Sequence, residues 1–253
     1  MPVKRHCGGV CKGVCLRLRP LTPREPIRLN EMRSSLRPAV CLLALLSLAA
    51  CGGGDARLEE LLAAARSTEA DEQRRALQAI GEMGADAAPA IPDLIALSVN
   101  AGPEARRLSS LALAEIAGAL PIDEFAPERA EIVDALANRL GDEEQSVRNT
   151  AAFGLLAIDP SHTAAQGNLQ DAMRRGDGGI IDRLTKSRPP PIWATPTLID
   201  ILREDPRPGL RRLAAVGLGE IAPDSEAAEA ALRDALQDSD DRVRLAARTA
   251  LGM

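Results

Sequence analysis

The sequence predicts an all-α protein made of repeated helix pairs, and two observations support this prediction. The 253 residues include no Tyr, two Phe and one Trp, whereas a β-sandwich or barrel of this length needs aromatic and β-branched side chains. Ala and Leu, which favour helices, dominate the apolar residues instead. A short apolar pattern also recurs along the chain, with a step of 33 residues between Leu210 and Val243.

Charge divides the chain into a basic head and an acidic body. Residues 1–50 carry nine of the 31 basic residues and two of the 36 acidic ones, a net charge of +7. Residues 51–253 carry the other 22 basic and 34 acidic residues, a net charge of −12. This division is typical of a targeting segment before a folded domain. The acidic body argues against nucleic acid as a partner, because phosphate binding needs a positive surface.

The head has the parts of a secretory signal. Residues 32–38 carry two Arg and no acid, and an apolar run of ten residues follows at 39–48. This run is too short for a membrane-spanning helix, which needs about 20 apolar residues. Leu48-Ala49-Ala50-Cys51 resembles the lipobox of bacterial lipoproteins. The resemblance implies that the leader is removed and that Cys51 carries a diacylglyceryl anchor.

These features predict four segments. Residues 1–31 are interpreted as a disordered extension upstream of a start at Met32, residues 32–50 as the signal peptide, residues 51–57 as the lipidated tether and residues 58–253 as the repeat domain. The anchored protein is expected in the cell envelope, on the periplasmic face of the inner or the outer membrane. An ordinary cleaved signal and an uncleaved signal anchor are the alternatives.

The repeat domain contains five recognisable copies of one helical pattern. The clearest runs from Leu210 to Ile221, and the others begin at Arg74, Ala105, Val147 and Val243. The 63 residues from Val147 to Leu210 are close to two periods, which predicts a degenerate copy between them. An apolar helix precedes each copy, so the domain is predicted to contain about six helix pairs.

An Asp lies five residues before the start of three copies, at Asp142, Asp205 and Asp238. A short carboxylate at this place accepts hydrogen bonds from free backbone N–H groups of the turn. The pattern Asp-x4-[Val/Leu]-Arg-x2-Ala-Ala, at 205–215 and more loosely at 238–247, resembles HEAT repeats, particularly the short HEAT-like repeats of phycobilin lyases. The resemblance implies a right-handed α-solenoid whose second helices line the concave side.

The same resemblance implies a ladder in which the Asp of one turn meets an Arg of a neighbouring repeat. The residues that match this Arg are Arg148, Arg211 and Arg244. Tetratricopeptide repeats have a similar period, but their Trp, Tyr and Phe positions are absent from this sequence.

The sequence contains no motif for catalysis, a cofactor or a metal. It has no GxGxxG, P-loop or HExxH, and the His and Cys residues of His6–Cys15 match no common zinc spacing. His162, the one His after residue 50, follows Ser161 at a predicted helix start, where Ser161 is the expected cap. The acidic run Asp238–Asp241 is predicted to be a solvated turn. We therefore expect no enzyme and no cofactor.

The third, seventh and eleventh residues of each copy are predicted to face away from the core. The seventh positions form an apolar strip between a basic edge at the third positions and an acidic edge at the eleventh, where Glu115 and Glu220 lie. They predict a partner-binding surface of Arg107, Leu111, Phe153, Arg212 and Val216. The alternative is that neighbouring side chains cover this strip.

The proline-rich segment Ser187–Ala194 is interpreted as a linker with Trp193 packed on the next helix, and a recognition strip is its alternative.

Together these features predict a monomeric, lipid-anchored HEAT-like scaffold that binds a protein partner. A lyase or chaperone-like protein related to bilin lyases is one alternative, opposed by the lack of a free thiol, the single His and the secretion signal. A nucleic-acid-binding solenoid is the other, opposed by the net charge of −12.

Overall fold

The computed structural model describes residues 53–122 and 127–253, so the predicted signal peptide and Cys51 lie outside the described residues. In these two ranges the chain forms twelve α-helices and no strand, which confirms the predicted all-α class. The helices are α1 (Gly53–Ala65), α2 (Ala70–Glu82), α3 (Ile91–Asn100), α4 (Pro103–Ala119), α5 (Pro127–Arg139), α6 (Gln145–Ile158), α7 (Thr163–Arg175), α8 (Gly178–Thr185), α9 (Thr195–Glu204), α10 (Pro208–Ile221), α11 (Glu226–Asp234) and α12 (Asp241–Ala250). Three 3₁₀ segments complete the fold, at Gly84–Ala90, Ile192–Ala194 and Ala235–Gln237.

The helices form six successive pairs, from α1–α2 to α11–α12. The pair α7–α8 is the degenerate copy that the spacing predicts. Its second helix, α8, has eight residues, whereas α6 and α10 have 14 each. Ile180, Ile181 and Leu184 keep the buried apolar face of α8. The Arg that stands second in the other five copies and the Ala pair that three of them carry are absent from α8, which is why the pattern is hard to recognise there.

The second helices of the pairs form the more closely packed row. Helix α4 packs along α2 and α6, and α10 packs along α8 and α12, whereas the first helices of successive pairs touch less. In a curved stack the closer row lies on the inner side, which places the second helices on the concave face. Small residues allow this approach: a Cβ added to Gly154 of α6 would lie 2.8 Å from the Cβ of Ala114 in α4.

A continuous apolar core runs through the stack. Its largest fully buried side chains are Leu77, Ile80, Ile91, Leu94, Leu113, Ile116, Ile132, Leu136, Leu155, Leu169, Met173 and Ile181. Each buried Leu or Ile contributes roughly 1.5–3 kcal/mol relative to an exposed one. These residues come from both helices of the pairs, so neighbouring repeats share the stabilisation.

The three predicted ladder Asp residues occupy equivalent places in their turns. The Oδ1 atoms of Asp142, Asp205 and Asp238 each accept a hydrogen bond from the backbone N–H two residues later, at 3.0, 2.8 and 2.8 Å. Nη1 of the Arg six residues after each Asp donates to the carbonyl oxygen of that Asp. The distances are 2.6, 2.9 and 2.7 Å for Arg148, Arg211 and Arg244. These contacts close each turn onto the helix that follows it.

Two ion pairs in the described ranges connect an Arg with the Asp of the next turn. Nε and Nη2 of Arg211 each donate to one carboxylate oxygen of Asp238 at 2.8 Å. The same two nitrogens of Arg106 donate to the carboxylate oxygens of Asp142 at 3.0 and 2.9 Å. At most 11% of any of these four side chains is exposed. The hydrogen bonds from Arg211 hold the pKa of Asp238 below its usual value. Burial alone would raise the pKa of Asp142, but the bonds from Arg106 and the backbone lower it overall.

The predicted ladder is interrupted at α7–α8. In the last repeat the ladder residues Asp238 and Arg244 lie two residues before and four residues after the helix cap Asp240. The equivalent positions around Asp177, the cap of α8, are occupied by Arg175 and Ile181. Asp205 instead pairs with Arg207 of its own turn, at 2.7 and 3.0 Å. The expectation that Arg148, Asp205 and Arg244 bridge neighbouring repeats is therefore wrong. Arg244 pairs with Asp241 of its own helix. The degenerate copy supplies a ladder partner for neither Arg148 nor Asp205.

Two further expectations about turns are wrong. The cap of α7 is His162, whose Nδ1 accepts from the N–H of Ala165 at 3.2 Å, whereas the Ser161 hydroxyl donates to Asp159 at 2.6 Å. Ser161 lies one residue too early to cap the helix. The run Asp238–Asp241 is also more than a solvated turn. Asp238 binds Arg211, Asp240 caps α12, and Asp241 pairs with Arg244.

Candidate protein-binding groove

Two adjoining depressions lie along the row of second helices and meet at Phe153. The first, here the proline pocket, has a volume of about 530 Å³ and is lined by Phe153, Leu156, Ala157, Pro160, Arg183, Leu184 and residues 187–193. The second, here the α4–α6 pocket, has a volume of about 400 Å³ and is lined by Arg107, Leu111, Ala114, Glu115, Thr150, Phe153, Gly154, Ala157 and Arg183. Because they share Phe153, Ala157 and Arg183, they form one surface, here the groove.

The proline pocket exists because α6 and α8 separate along their length. At their N-terminal ends Asp177 connects them, since Gln145 and Asn149 donate to its Oδ2 at 3.0 and 3.1 Å. Beyond these contacts the backbones of α6 and α8 approach each other much less than those of other neighbouring second helices. The short helix α8 ends at Thr185, which leaves an opening beside the C-terminal half of α6.

The proline-rich segment lines this opening. Pro cannot donate a backbone hydrogen bond to a helix, so the chain passes from α8 to α9 without continuing the helical stack. Pro189, Pro190 and Pro191 line the pocket. Trp193 is half-buried against the core, and Gln170 donates to its carbonyl oxygen at 3.0 Å. The segment therefore connects two repeats and also provides an apolar surface.

Phe153 and Arg183 form the contact between the two pockets. The seventh position was predicted to face away from the core, but Phe153 is half-buried and packs against it. The guanidinium carbon of Arg183 lies 3.7 Å from the centroid of the Phe153 ring, within the range of a cation–π contact. Partial desolvation lowers the pKa of Arg183. The Arg183 side chain is nevertheless exposed, so a ligand can reach it.

Three of the five predicted binding residues lie in the groove. Arg107 is held by Glu104 at 2.7 and 2.9 Å, and Leu111 lies half-buried beside it. Phe153 is the third. Arg212 and Val216 are exposed on α10 but line neither pocket. The structure therefore does not unite the five residues in one surface.

Sequence reasoning missed Arg183 and did not favour the proline-rich segment as part of a site. The signal for Arg183 was weak, because α8 lacks the Arg and Ala residues that set the register of the other copies. The three consecutive prolines were the available signal for the segment.

The electrostatic character of the groove changes along its length. Glu115 lines the α4–α6 pocket at the side of α2, where it lies over Gly81. Burial and the nearby charge of Glu82 raise the pKa of Glu115. The groove thus has the Glu115 carboxylate at its α2–α4 end and the Arg183 guanidinium at the place where its two pockets meet.

Within 53–122 and 127–253 no three His, Cys, Asp or Glu side chains are grouped as a metal site would require. None of the helices in these ranges has the length and apolar character needed to cross a membrane.

Residues 195–253 match the family model of HEAT repeats. A search of curated proteins found no match. Among solved structures, the YibA protein of E. coli is 17% identical with a TM-score of 0.50, over 76% of this chain and 69% of that one. A designed armadillo repeat protein is 18% identical with a TM-score of 0.44, over 77% and 98%. Human deoxyhypusine hydroxylase is 21% identical with a TM-score of 0.36, over 77% and 83%.

At these identities the structural likeness shows the fold alone. The match of residues 195–253 and the likeness to YibA confirm the predicted α-solenoid of HEAT-like repeats. The described part of the chain is therefore an α-solenoid of HEAT-like repeats, a fold that presents an extended surface along its stacked helices.

Proposed function

We propose that the protein is a non-catalytic, monomeric scaffold that binds an extended segment of a partner protein in the groove. The observation that carries this proposal is the continuity of the two pockets across Phe153. Large apolar depressions on a protein surface commonly mark binding sites, and aromatic residues at the centre of an interface often supply much of the binding energy. Phe153 has this central place.

A protein segment fits the groove better than a nucleic acid does. The proline pocket is lined mainly by apolar side chains, and residues 51–253 carry a net charge of −12. A nucleic acid requires positive charge along its phosphates. An extended peptide can instead place alternate side chains into two neighbouring pockets.

The binding proposal can be tested by site-specific photo-crosslinking in native cells. A photoreactive amino acid at Leu111, in the groove, should capture a partner that the same amino acid at the exposed Leu245 of α12 does not capture. Phe153→Leu, which keeps an apolar contact with the core, should greatly reduce the capture from position 111. Equal capture from both positions, or capture unaffected by Phe153→Leu, would contradict the groove as the binding site.

We also propose that the scaffold is anchored on the extracytoplasmic side of a bacterial membrane through a lipid on Cys51. This proposal rests on the apolar run at 39–48 and the lipobox-like sequence that ends at Cys51. Intact-mass analysis of the membrane-extracted protein should find an acylated chain that begins at Cys51, and Cys51→Ser should move the protein out of the detergent phase. A native N-terminus within residues 1–31 would overturn the predicted start at Met32.

A further inference from the structure

Arg183 differs from the other arginines that line the groove. Arg107 is paired with Glu104, and Arg188 lies 3.7 Å from Glu220. Arg183 forms no ion pair with any residue of the two described ranges, and its guanidinium lies against the Phe153 ring. The ring positions the guanidinium without neutralising its charge. A side chain that is already positioned loses less entropy when a ligand binds.

The α2–α4 end of the groove has the opposite character. Glu115 and Glu82 both line a depression beside Leu111, and the carboxylates are close enough for Glu82 to raise the pKa of Glu115. Neighbouring like charges destabilise each other. A positive group placed beside Glu115 would relieve this repulsion.

We propose that the groove selects segments in which an acidic side chain pairs with Arg183, an adjacent apolar side chain enters the proline pocket, and a basic side chain meets Glu115. This inference rests on the proposed function and specifies its partner. Because the groove continues on both sides of Phe153, the segment passes through it. The carboxylate therefore comes from an internal Asp or Glu and not from a chain end.

The geometry also limits the spacing between the two charges. Glu115 lies on the α2 side of α4, and the Arg183 guanidinium lies over a residue of α6. Packed helices are about 8–10 Å apart, so the two groups are separated by roughly one to one and a half helix spacings. An extended chain advances about 3.3 Å per residue. The basic residue is therefore expected about three to five positions from the acidic one.

The test is a selection of random 12-residue peptides displayed on phage against the purified full-length protein. We expect the wild type to enrich an acidic residue beside an aliphatic or aromatic one. Arg183→Glu should change the enriched acidic residue to a basic one. Arg212→Glu, the matched control at an exposed arginine outside both pockets, should keep the wild-type preference.

Individual synthetic peptides then measure the size of the effect. Replacing the selected Glu by Gln should weaken binding to the wild type roughly 10- to 100-fold, as expected for a hydrogen bond to a charged group. The same replacement should change binding to Arg183→Ala much less. Equal losses in both proteins would overturn the pairing with Arg183.

The possible outcomes separate this inference from the function on which it rests. Peptides that require Phe153 but show no acidic preference would overturn the inference and leave the groove as a binding site. A selection without any Phe153-dependent peptide would overturn both. If the purified protein is a dimer that Phe153→Leu converts to a monomer, the occupant is a second copy of the chain, and the inference is also overturned.

Discussion

The repeats are joined differently at the α10–α12 and α6–α8 junctions. Between α10 and α12 the backbones come close, and Arg211 forms a nearly buried pair with Asp238 of the next turn. Between α6 and α8 the described residues contain no such pair. Asp177 connects the N-terminal ends of the two helices, and further along Arg183 lies over the Phe153 ring. A cavity therefore opens beside the C-terminal half of α6. The candidate binding site therefore lies beside α7–α8, the pair in which the repeat pattern is lost.

The irregular repeat also lacks the ladder pair at its other side, where α8 meets α10, and at this irregular junction a different contact replaces the pair. Arg207 pairs with Asp205 and also donates to the carbonyl oxygens of Arg175 and Arg174 at the end of α7, at 3.1 and 3.4 Å. About half of the Arg207 side chain is exposed (48%), whereas only 11% of the Arg211 side chain is exposed. Removing an ionic partner should therefore cost more at the regular junction, where the remaining charge cannot be solvated.

Arg211→Ala is expected to have the largest effect on stability. Removing one partner of a buried ion pair leaves an uncompensated charge, which typically costs about 3–5 kcal/mol. Asp238 would be left in this state, with 10% of its side chain exposed. Urea unfolding followed by circular dichroism would measure the loss in the free energy of unfolding.

Asp205→Ala is the matched change at the irregular junction. Its partner Arg207 can be solvated, so the expected loss is about 1 kcal/mol, the range for hydrogen bonds removed beside solvent. Similar losses for Arg211→Ala and Asp205→Ala would remove the proposed difference between the two junctions.

The repeat fold could be predicted because its pattern is carried by many positions at once. Five copies share their apolar spacing, and the distance from Val147 to Leu210 located the sixth. Individual contacts were less predictable. Arg106 occupies the ladder position of its copy, but Asn100 stands where three other copies have Asp. The pattern therefore did not identify Arg106 as the partner of Asp142.

The candidate site could be predicted only in part, for a related reason. Leu111 and Phe153 occupy the same position in successive copies, so periodicity placed them on one face. Val216 occupies that position too, but its helix α10 lies beyond the interruption, outside the pockets. Arg183 lies in α8, where no recognisable copy sets the register. Periodicity predicts neighbours only as far as the repeat remains regular.

Ala247→Leu tests the close packing of the regular junction. Ala247 is fully buried in α12, so a larger side chain should destabilise the protein by about 1–3 kcal/mol through overpacking. Arg248→Leu, at the next and exposed position, is the control and should change the free energy of unfolding by less than about 0.5 kcal/mol. An unchanged denaturation midpoint for Ala247→Leu would show that the assigned buried face of α12 is wrong.

Gly176→Ala tests the contact that replaces the ladder at the irregular junction. Gly176 ends α7 with a φ of +106°, a conformation that L-residues rarely adopt. An added Cβ would also collide with the Arg207 guanidinium. We expect a loss of about 1–2 kcal/mol, the typical cost of a left-handed conformation in a non-glycine residue.

Arg207→Ala in the same background separates the two causes. It removes the side chain that the new Cβ would meet but leaves the backbone conformation. Gly176→Ala should therefore cost less in the Arg207→Ala protein than in the wild type. Strictly additive losses would mean that Arg207 does not cross Gly176.

Acidification is expected to reveal the smallest difference between the junctions. The hydrogen bonds from Arg211 lower the pKa of Asp238 in the folded state, while an unfolded Asp has a pKa of about 3.9. A carboxyl group with a lowered folded pKa stabilises the protein fully above its unfolded pKa and loses that contribution as pH falls through the folded pKa. The stability difference between the wild type and Asp238→Asn should therefore shrink between pH 5 and the lowest pH at which the protein folds, by on the order of 1 kcal/mol.

Asp205→Asn is the comparison at the irregular junction, where the exposed Arg207 lowers the pKa of Asp205. Solvent screens that pair more strongly, so its difference from the wild type should change less over the same range. Urea midpoints measured at successive pH values give both curves, and a difference for Asp238→Asn that does not depend on pH would contradict the assigned ion pair.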